Sequence, residues 1–514
     1  MKKKILALAL MSALTCSLCA CGGVPVVTED IPEVEIYLLE AGYRTEFMDE
    51  WIEAFTAKNP EITVEYMANS GATEKAVQDI TNPRSTVDLW FTGWINLPRY
   101  VSEGASLVQG YDCVVEDLTD LLDEPIEGEG VSIRQKAEKA DDRVMLFNTI
   151  NGRNYSISWA SGPSGLLINR DFGLEVPKTT DGFIEQVKSI AAGTAGIASG
   201  VKPFIWPGQN APGYWDYLMD TWKAQYDGIE GYDAYWRFGY EGEAPTYEVL
   251  HQQGILESYK VLDQISEQSY SVYESPQLRH TDAQQSYLRG AAVYMPSGDW
   301  FETEMKSTGI EADIVMAKIP VISALGQKLR LAGASASYAE NEEMLVSIVT
   351  DIDEGMTLDA LKEKYSAVGD AKVQEVWDAR HVAYNTGYNH IAYIPAFSNA
   401  KTAAKKFLKF ICSNEGIAIF REYAGSTMPY DYTPPEGEVR SEFQKSMDEI
   451  MKDTVSFFPT KNWTPLRYIA NPISDSATWL SFYNNEKTPQ QVYDDVYDYS
   501  RRRWSQLLIQ AGLA

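Results

Sequence analysis

Glu33-Val-Glu-Ile-Tyr-Leu-Leu39 opens the run that decides the fold class. It begins with polar–apolar alternation and ends apolar, as a strand does when it enters a sheet covered on both faces. Phe47, Met48, Trp51, Ile52 and Phe55 follow at i, i+1, i+4, i+5 and i+8, one face of a 3.6-residue period. Asn59-Pro60 stops that helix. Ile62 to Tyr66 reads as a second strand, Glu74 to Ile80 as a short helix and Val87-Asp-Leu-Trp-Phe-Thr92 as a third strand. Strand, helix, strand, helix, strand within about sixty residues implies right-handed crossovers and a mainly parallel sheet. Ligands of such sheets sit beyond the carboxyl ends of the strands. That places Glu40 to Tyr43 and Gly93 to Asn96 at a binding edge.

The pattern restarts near residue 150. Tyr155 to Trp159 and Gly165 to Asn169 read as strands around Gly162-Pro163. Thr180-Asp181 can cap a helix whose apolar face is Phe183, Ile184, Val187, Ile190 and Ala191. Ile205 to Tyr240 is crowded with Trp and Tyr, and Ala291 to Met295 is a short apolar strand leading into Pro296-Ser-Gly-Asp-Trp300. Ala403, Ala404, Phe407, Leu408 and Ile411 repeat the helical stripe, and a second helix, Glu415 to Ala424, stops at Gly425. Thr488-Pro489-Gln490-Gln491 reads as an N-cap with proline at the first helical position, opening a long helix to about Ile509. Thr357-Leu-Asp-Ala-Leu361 and Trp377 suggest an inserted helical hairpin or a decayed duplicate.

The 514 residues allow two or three domains and a large core. Apolar residues at 45% and charged residues at 23% exclude a disordered, collagenous or polytopic membrane chain. The formal net charge is −29, which repels nucleic acid and anionic lipid, so no nucleic-acid partner is expected. Aromatics reach 12%, with Tyr the excess member at 31. Rings with a polar tip suit surfaces that are both wet and sticky.

Residues 1–20 read as an address rather than as fold. Lys2, Lys3 and Lys4 precede a short apolar run, Ile5 to Leu14, and small residues follow. Leu18-Cys-Ala-Cys21-Gly22 resembles the bacterial lipobox, which implies acylation of the Cys21 thiol and attachment to the membrane through that lipid anchor only. Residues 21–32 then form a tether. Cys113 and Cys412 are too far apart in sequence for a metal spacing or a disulfide framework, and Cys412 lies on an apolar helical stripe.

Several segments, taken in order, resemble the carbohydrate-binding extracellular solute-binding proteins, the family 1 receptors of ABC importers of the maltose-binding type. Phe47 to Pro60 is similar to their first helix and its Asn-Pro ending. Val87-Asp88-Leu89 resembles their Pro-Asp-Val strand, with Val87 at the proline. Asn151 to Ile157 resembles a crossover strand, and Gly165 to Asp171 the strand after it. Val176 to Phe183, Gly290 to Trp300, Ile394 to Ala400 and Met428-Pro429 match later motifs. Tyr155-Ser-Ile-Ser-Trp159 lacks the proline that the family has in this crossover, and residues 340–390 read as an insertion.

The resemblance implies an α/β, two-lobe periplasmic-binding-protein-like fold of type II. Each lobe would be a mainly parallel sheet flanked by helices, with a hinge between the lobes. Lobe one is expected at 33–150 and 331–430, and lobe two at 151–330 and 431–514. It further implies a monomeric receptor on the outer face of the membrane that closes on a carbohydrate and delivers it to ABC-transporter permease subunits. Such a receptor has no catalytic residue, metal or cofactor.

A sugar ring offers an apolar face for stacking and a rim of hydroxyls for polar groups, and charged partners bind that rim most strongly. Candidate ligand residues are therefore aromatic and polar groups at strand ends: Glu40, Tyr43, Trp94, Asn96, Trp159, Ser161, Trp206, Trp215, Asp299 and Trp300. The matching family tryptophan stacks on ligand, which gives Trp300 the strongest implied role. Trp51 and Trp377 sit in helical patterns and are assigned to packing. The alternative class is a secreted carbohydrate-active enzyme or glycan-adhesion protein. A glycosidase needs two carboxylates at a set separation, which the sequence does not display. No G-x-S-x-G, P-loop or H-E-x-x-H motif occurs. His251, His280, His381 and His390 have no metal-ligand spacing, and Asp351-Ile-Asp-Glu-Gly355 lacks the remaining ligands of a calcium loop.

Overall fold

The computed structural model describes residues 31–459, 466 and 475–514. The signal segment, Cys21 and most of the tether lie outside the described residues.

The first sheet runs Thr63–Asn69, Glu33–Leu39, Leu89–Thr92, Ile391–Tyr393, Ile157–Ser158. Its first three strands are parallel, with Glu33 opposite Thr63 and Ile36 opposite Leu89. The alternation in Glu33–Leu39 buries Val34, Ile36 and Leu38. Helix Glu46–Lys58 buries Phe47, Met48, Trp51 and Phe55 against the sheet. The Trp51 indole N–H donates to the Gly416 carbonyl at 2.7 Å, which ties this helix to helix Asn414–Tyr423. Helix Lys401–Ile411 covers the same face with Ala403, Ala404, Phe407, Leu408 and Ile411.

The second sheet runs Val455–Phe457, Val382–Asn385, Pro163–Asn169, Ala292–Gly298, Lys202–Phe204, with Ile314–Ala317 also paired to Pro163–Asn169. Strands Pro163–Asn169 and Ala292–Gly298 are buried at every position. The expectation of a mainly parallel sheet in each lobe needs correction. Pro163–Asn169 is antiparallel to all three of its neighbours, and in the first sheet Ile391–Tyr393 is antiparallel to both of its own. Pro163–Asn169 is entered from Ile157–Ser158 of the first sheet through Trp159–Gly162, so it joins the second sheet from across the junction and pairs there with strands from distant stretches of the chain.

The expected change of lobe at residue 331 is also not where the packing changes. Leu331, Leu345, Ile348, Val349, Ile352, Leu361, Val373, Val376 and Ala379 share one core with Leu166, Ile168 and Trp222 of the second sheet's side. These residues belong to helices Tyr338–Asp353, Leu358–Lys364 and Asp370–Arg380 and the turn before them. The insertion is therefore a three-helix cap on the second sheet. Asp353 fastens it, accepting Arg380 Nε at 2.8 Å and Nη2 at 2.7 Å, and Lys178 Nζ at 2.6 Å. Asp351, in the stretch that lacks the further ligands of a calcium loop, accepts from Lys364 and Tyr365. At the other boundary, Ile157, Trp159 and Ala160 still pack in the first core, beyond the expected edge at 150.

Three tryptophans anchor the second core. Trp215 stacks on Trp479 with ring centroids 3.6 Å apart, Trp206 meets Trp479 edge-on at 5.7 Å, and all three rings are fully buried. Trp479 lies on helix Asp475–Tyr483. The last helix, Pro489–Gln510, opens with a capping box between Thr488 and Gln491 and buries Val492, Tyr493, Val496 and Leu507. The C-terminal segment thus completes the second core.

Truncation of a stacked, fully buried ring leaves a cavity that neighbours fill only in part. Trp215→Ala is expected to cost about 3–5 kcal/mol of stability in denaturant unfolding. Burial also pushes the Cys412 thiol up to about 12. Peptide mapping after iodoacetamide should show Cys412 unmodified in the native protein and modified once the chain is unfolded, because thiolate is the reactive form.

Candidate functional site at the junction of the two sheets

The chain crosses between the sheets at Trp159–Gly162 and at Thr386–His390, and the turn Ala424–Thr427, flanked by Phe420, Met428 and Tyr430 of the first core, lies against the first of these crossings. The crossings are laced together. Ser161 N–H donates to the Thr427 carbonyl at 2.9 Å, and the Thr427 hydroxyl returns a bond to the Ser161 carbonyl. Thr386 N–H donates to the Gly162 carbonyl at 3.2 Å. The Ser161 hydroxyl donates to Asn385 Oδ1 at 2.9 Å, and the Ser158 hydroxyl to the Gly387 carbonyl at 3.1 Å. Buried backbone and hydroxyl groups here satisfy one another, as enclosed polar groups must.

Two strand ends deliver the central side chains to this junction. Glu33–Leu39 leads to Gly42 and Tyr43, and Ala292–Gly298 leads to Asp299 and Trp300. Close approach explains the glycines. A Cβ on Gly42 would stand 2.7 Å from Trp300 Cβ, and one on Gly162 would stand 2.4 Å from Asp299 Cγ. No side chain fits at either distance.

Asp299 is 1% exposed. Its Oδ2 accepts the Tyr43 hydroxyl at 2.9 Å and the Ser426 hydroxyl, and its Oδ1 accepts the Thr386 hydroxyl at 3.5 Å. Desolvation pushes its carboxyl up to about 6, against the opposing pull of those hydroxyls. Burial, together with the Asp299 charge, holds the Tyr43 phenol well above its ordinary value. His390 lies edge-on to the Tyr43 ring at 5.1 Å, and burial pushes its pKa down to about 4, so it is neutral at physiological pH.

An aromatic wall stands beside this cluster. Trp300, part-exposed, faces Tyr214 at 5.6 Å and Tyr217 at 6.4 Å between ring centroids. Tyr217 packs on Tyr384 at 5.0 Å, and the Tyr384 hydroxyl lies 3.2 Å from that of Tyr388. On the first sheet's side, the Trp94 N–H donates to Asn389 Oδ1 at 2.8 Å and the Gly93 N–H to the Thr73 hydroxyl at 2.9 Å.

The ten expected residues therefore separate. Tyr43, Ser161, Asp299 and Trp300 meet at the junction. Trp94 lies at its first-sheet rim, part-exposed, and Glu40 is exposed in the loop before Tyr43. Asn96 spends its side-chain oxygen on capping helix Leu97–Ser102. Trp159 borders the junction but is fully buried among Tyr43, Phe47, Phe91 and Phe420. Trp206 and Trp215 belong to the second core, with no ring surface open to a ligand. The junction also holds Tyr214, Tyr217, Thr386, Tyr388, Asn389 and Ser426, which sequence pattern does not single out. The first two lie in the stretch crowded with Trp and Tyr; the others carry no sequence signal beyond residue type.

No group of acidic, histidine or cysteine residues among the described residues forms a metal site. A cavity of about 530 Å³ lies elsewhere, between helix Asn414–Tyr423 and the segment Phe301–Met305. Its walls include Phe301, Met305, Ile314 and Phe443, and none of the expected residues lines it.

This geometry has counterparts among solved structures. The apo form of RafE from Streptococcus pneumoniae is similar with a TM-score of 0.57 and 15% identity, covering 92% of this chain and 97% of that one. A family 1 extracellular solute-binding protein from Bifidobacterium longum subsp. infantis matches with a TM-score of 0.56 and 15% identity, covering 93% and 100%. Maltose-bound MalE3 of T. maritima matches with a TM-score of 0.55 and 15% identity, covering 91% and 98%. At these identities the likeness shows the fold: two lobes with a junction between them. Among curated proteins none matches significantly. The sequence itself matches the family described as bacterial extracellular solute-binding protein over residues 50–434, well over half of its length. The chain belongs to the bacterial extracellular solute-binding proteins.

Proposed function

We propose that this protein captures a carbohydrate, in the first instance an oligosaccharide, by closing its two lobes on it, and passes it to an ABC importer. The observation that carries the reading is the aromatic wall at the lobe junction: Trp300, Tyr214, Tyr217 and Tyr388, with Trp94 at the opposite rim. Part-exposed rings with polar tips stack on the apolar face of a sugar and bond its rim, which suits a neutral polyhydroxyl solute. Solved relatives support the same class: RafE in complex with raffinose, a chitin oligosaccharide binding protein and maltose-bound MalE3. A binding family, rather than a hydrolytic one, supports capture without chemistry. In this reading Trp300, Tyr214 and Tyr217 touch the ligand. Asp299 and Tyr43 hold the lobes together beneath it.

The site belongs to an extracellular family. Lipid attachment at Cys21 completes the proposal, with the mature chain monomeric and presented to permease subunits at the membrane surface. No helix among the described residues is long and apolar enough to cross a membrane.

Calorimetry against a panel of mono- and oligosaccharides tests the reading. Saturable binding with intact glycan is the expected result; shortened glycan identifies a hydrolase instead. Trp300→Ala should weaken that binding at least tenfold, about 1–3 kcal/mol by analogy with stacking of bases on aromatic rings, while the melting profile stays cooperative. Small-angle scattering should give a smaller radius of gyration with bound sugar, because closure is a rigid-body hinge motion; identical curves at saturation would refute closure. Cys21→Ala should move the protein from the membrane fraction to the soluble one.

A further inference from the structure

The carboxyl of Asp299 is enclosed without a counter-charge. Each element around it contributes only neutral or acidic groups. The loop after Glu33–Leu39 supplies the Tyr43 hydroxyl and the turn Ala424–Thr427 supplies the Ser426 hydroxyl. The second crossing supplies the Thr386 hydroxyl, with neutral His390 lying on the Tyr43 ring. Helix Asp216–Arg237 brings Tyr217, whose phenol is held well above its ordinary value by burial and by neighbours that include Tyr214, Tyr388, Asp216 and Asp299 itself. The first crossing presents the Gly162 backbone. No lysine or arginine among the described residues pairs with Asp299.

This carboxylate, at the end of a second-sheet strand, accepts the Tyr43 and Ser426 hydroxyls from the first lobe, and the Thr386 hydroxyl shares its one proton between Asp299 and the Gly162 carbonyl. Removing those partners to solvent contact would return it to an ordinary carboxylate. Enclosing it again in the ionised form costs desolvation that hydroxyls only partly offset. The protonated form avoids that cost. Its single O–H then donates to the Ser426 or Thr386 oxygen, either of which rotates from donor to acceptor, while Tyr43 continues to donate.

We propose that Asp299 is a positioning residue that makes lobe closure proton-linked: its carboxyl takes up a proton from solvent as the junction closes, so solute is held more tightly in mildly acidic medium than in neutral. The inference rests on the receptor reading above and adds to it a regulation of the same junction. The sign follows from the direction of the shift. Desolvation raises the enclosed carboxyl to about 6 from its ordinary value of 3.8. In this proposal an open junction returns the carboxyl to water, so the closed state binds the proton more tightly than the open one. The gain in closure is absent well above pH 6, grows as pH falls through 6, and is complete below 3.8. Between pH 7.5 and 5.0 the linkage amounts to about a tenfold gain in affinity, with close to one proton taken up per solute at the acidic end.

The test uses the intact protein and its Asp299→Asn variant. For a sugar that binds, calorimetry at pH 7.5 and 5.0, in buffers of different ionisation enthalpy, should show the tenfold gain and the proton uptake in wild type. Both should vanish in Asp299→Asn. Equal wild-type affinity at the two pH values, or a slope that survives in the variant, overturns the inference. If no carbohydrate binds, the receptor reading fails, and ligand-free scattering still decides the proton linkage. Wild type should then compact at pH 5.0 relative to pH 7.5 and the variant should not; a wild type indifferent to pH overturns the inference by itself. Should Asp299→Asn not fold, Tyr43→Phe replaces it. Removing one donor to the ionised form must move the midpoint of the wild-type pH profile upward, and an unmoved midpoint counts against Asp299.

Discussion

An enclosed carboxylate with no cation beside it is among the costliest groups a fold can hold, and the junction of this protein is built to satisfy one. Three hydroxyls reach Asp299 from separate stretches of chain, at positions 43, 386 and 426. Each of those stretches is anchored elsewhere. Tyr43 follows Glu33–Leu39, a strand of the first sheet paired on both sides, Thr386 is bonded to Gly162, and Ser426 precedes the Thr427–Ser161 bridge. An unsatisfied buried acceptor costs about 1–3 kcal/mol, and more when charged. The relative placement of the two lobes is thus set by a requirement that neither lobe meets alone. The aromatic wall inherits its geometry from this point, because Trp300 is the next residue and packs on Gly42 of the other lobe.

Much of the architecture was legible in the sequence where periodicity and stop signals agreed. Glu33–Leu39 is a strand at the expected residues, and Thr488 with Gln491 forms the cap that opens the last helix. Legibility failed where long-range pairing decides. Nothing local in Pro163–Asn169 records that its neighbours run the other way, since a strand buried on both faces reads the same in either direction. The insertion failed for a related reason. Its helices are locally clear at Thr357 and Trp377, but which core they cover depends on partners distant in sequence: Leu166, Ile168 and Trp222, which share its core, and Lys178, which bonds Asp353.

The tryptophans show the same limit at the scale of the site. Trp206, Trp215 and Trp300 all lie in aromatic surroundings near turns or strand ends, and ring chemistry alone does not rank them. Trp206 and Trp215 are sealed by Trp479, which lies more than two hundred residues later in the chain. Trp300 remains part-exposed because the residues opposite it are glycine and tyrosine rather than further core. The signal that does separate them is glycine. Gly298 precedes Asp299-Trp300, a Cβ there would stand 2.3 Å from the Trp300 ring, and Gly42 makes room for the same ring from the other lobe. Close backbone approach on two sides marks a ring held at a meeting of lobes, whereas core rings are flanked by side chains that fill space.

Charge and aromaticity then act on different scales. A net charge of −29 surrounds the molecule with a field that disfavours anionic solutes at long range. That field falls off within roughly 8 Å at physiological ionic strength and exerts no pull on an uncharged solute. Discrimination at the junction must come from contact: flat rings, hydroxyl tips and the enclosed carboxyl beneath them. A neutral, hydroxyl-rich solute is the class for which such a surface gains most from stacking and loses least to desolvation. The acidity of the chain and the neutrality of the proposed ligand are therefore two consequences of one arrangement, in which the field outside sorts by sign and the junction sorts by shape.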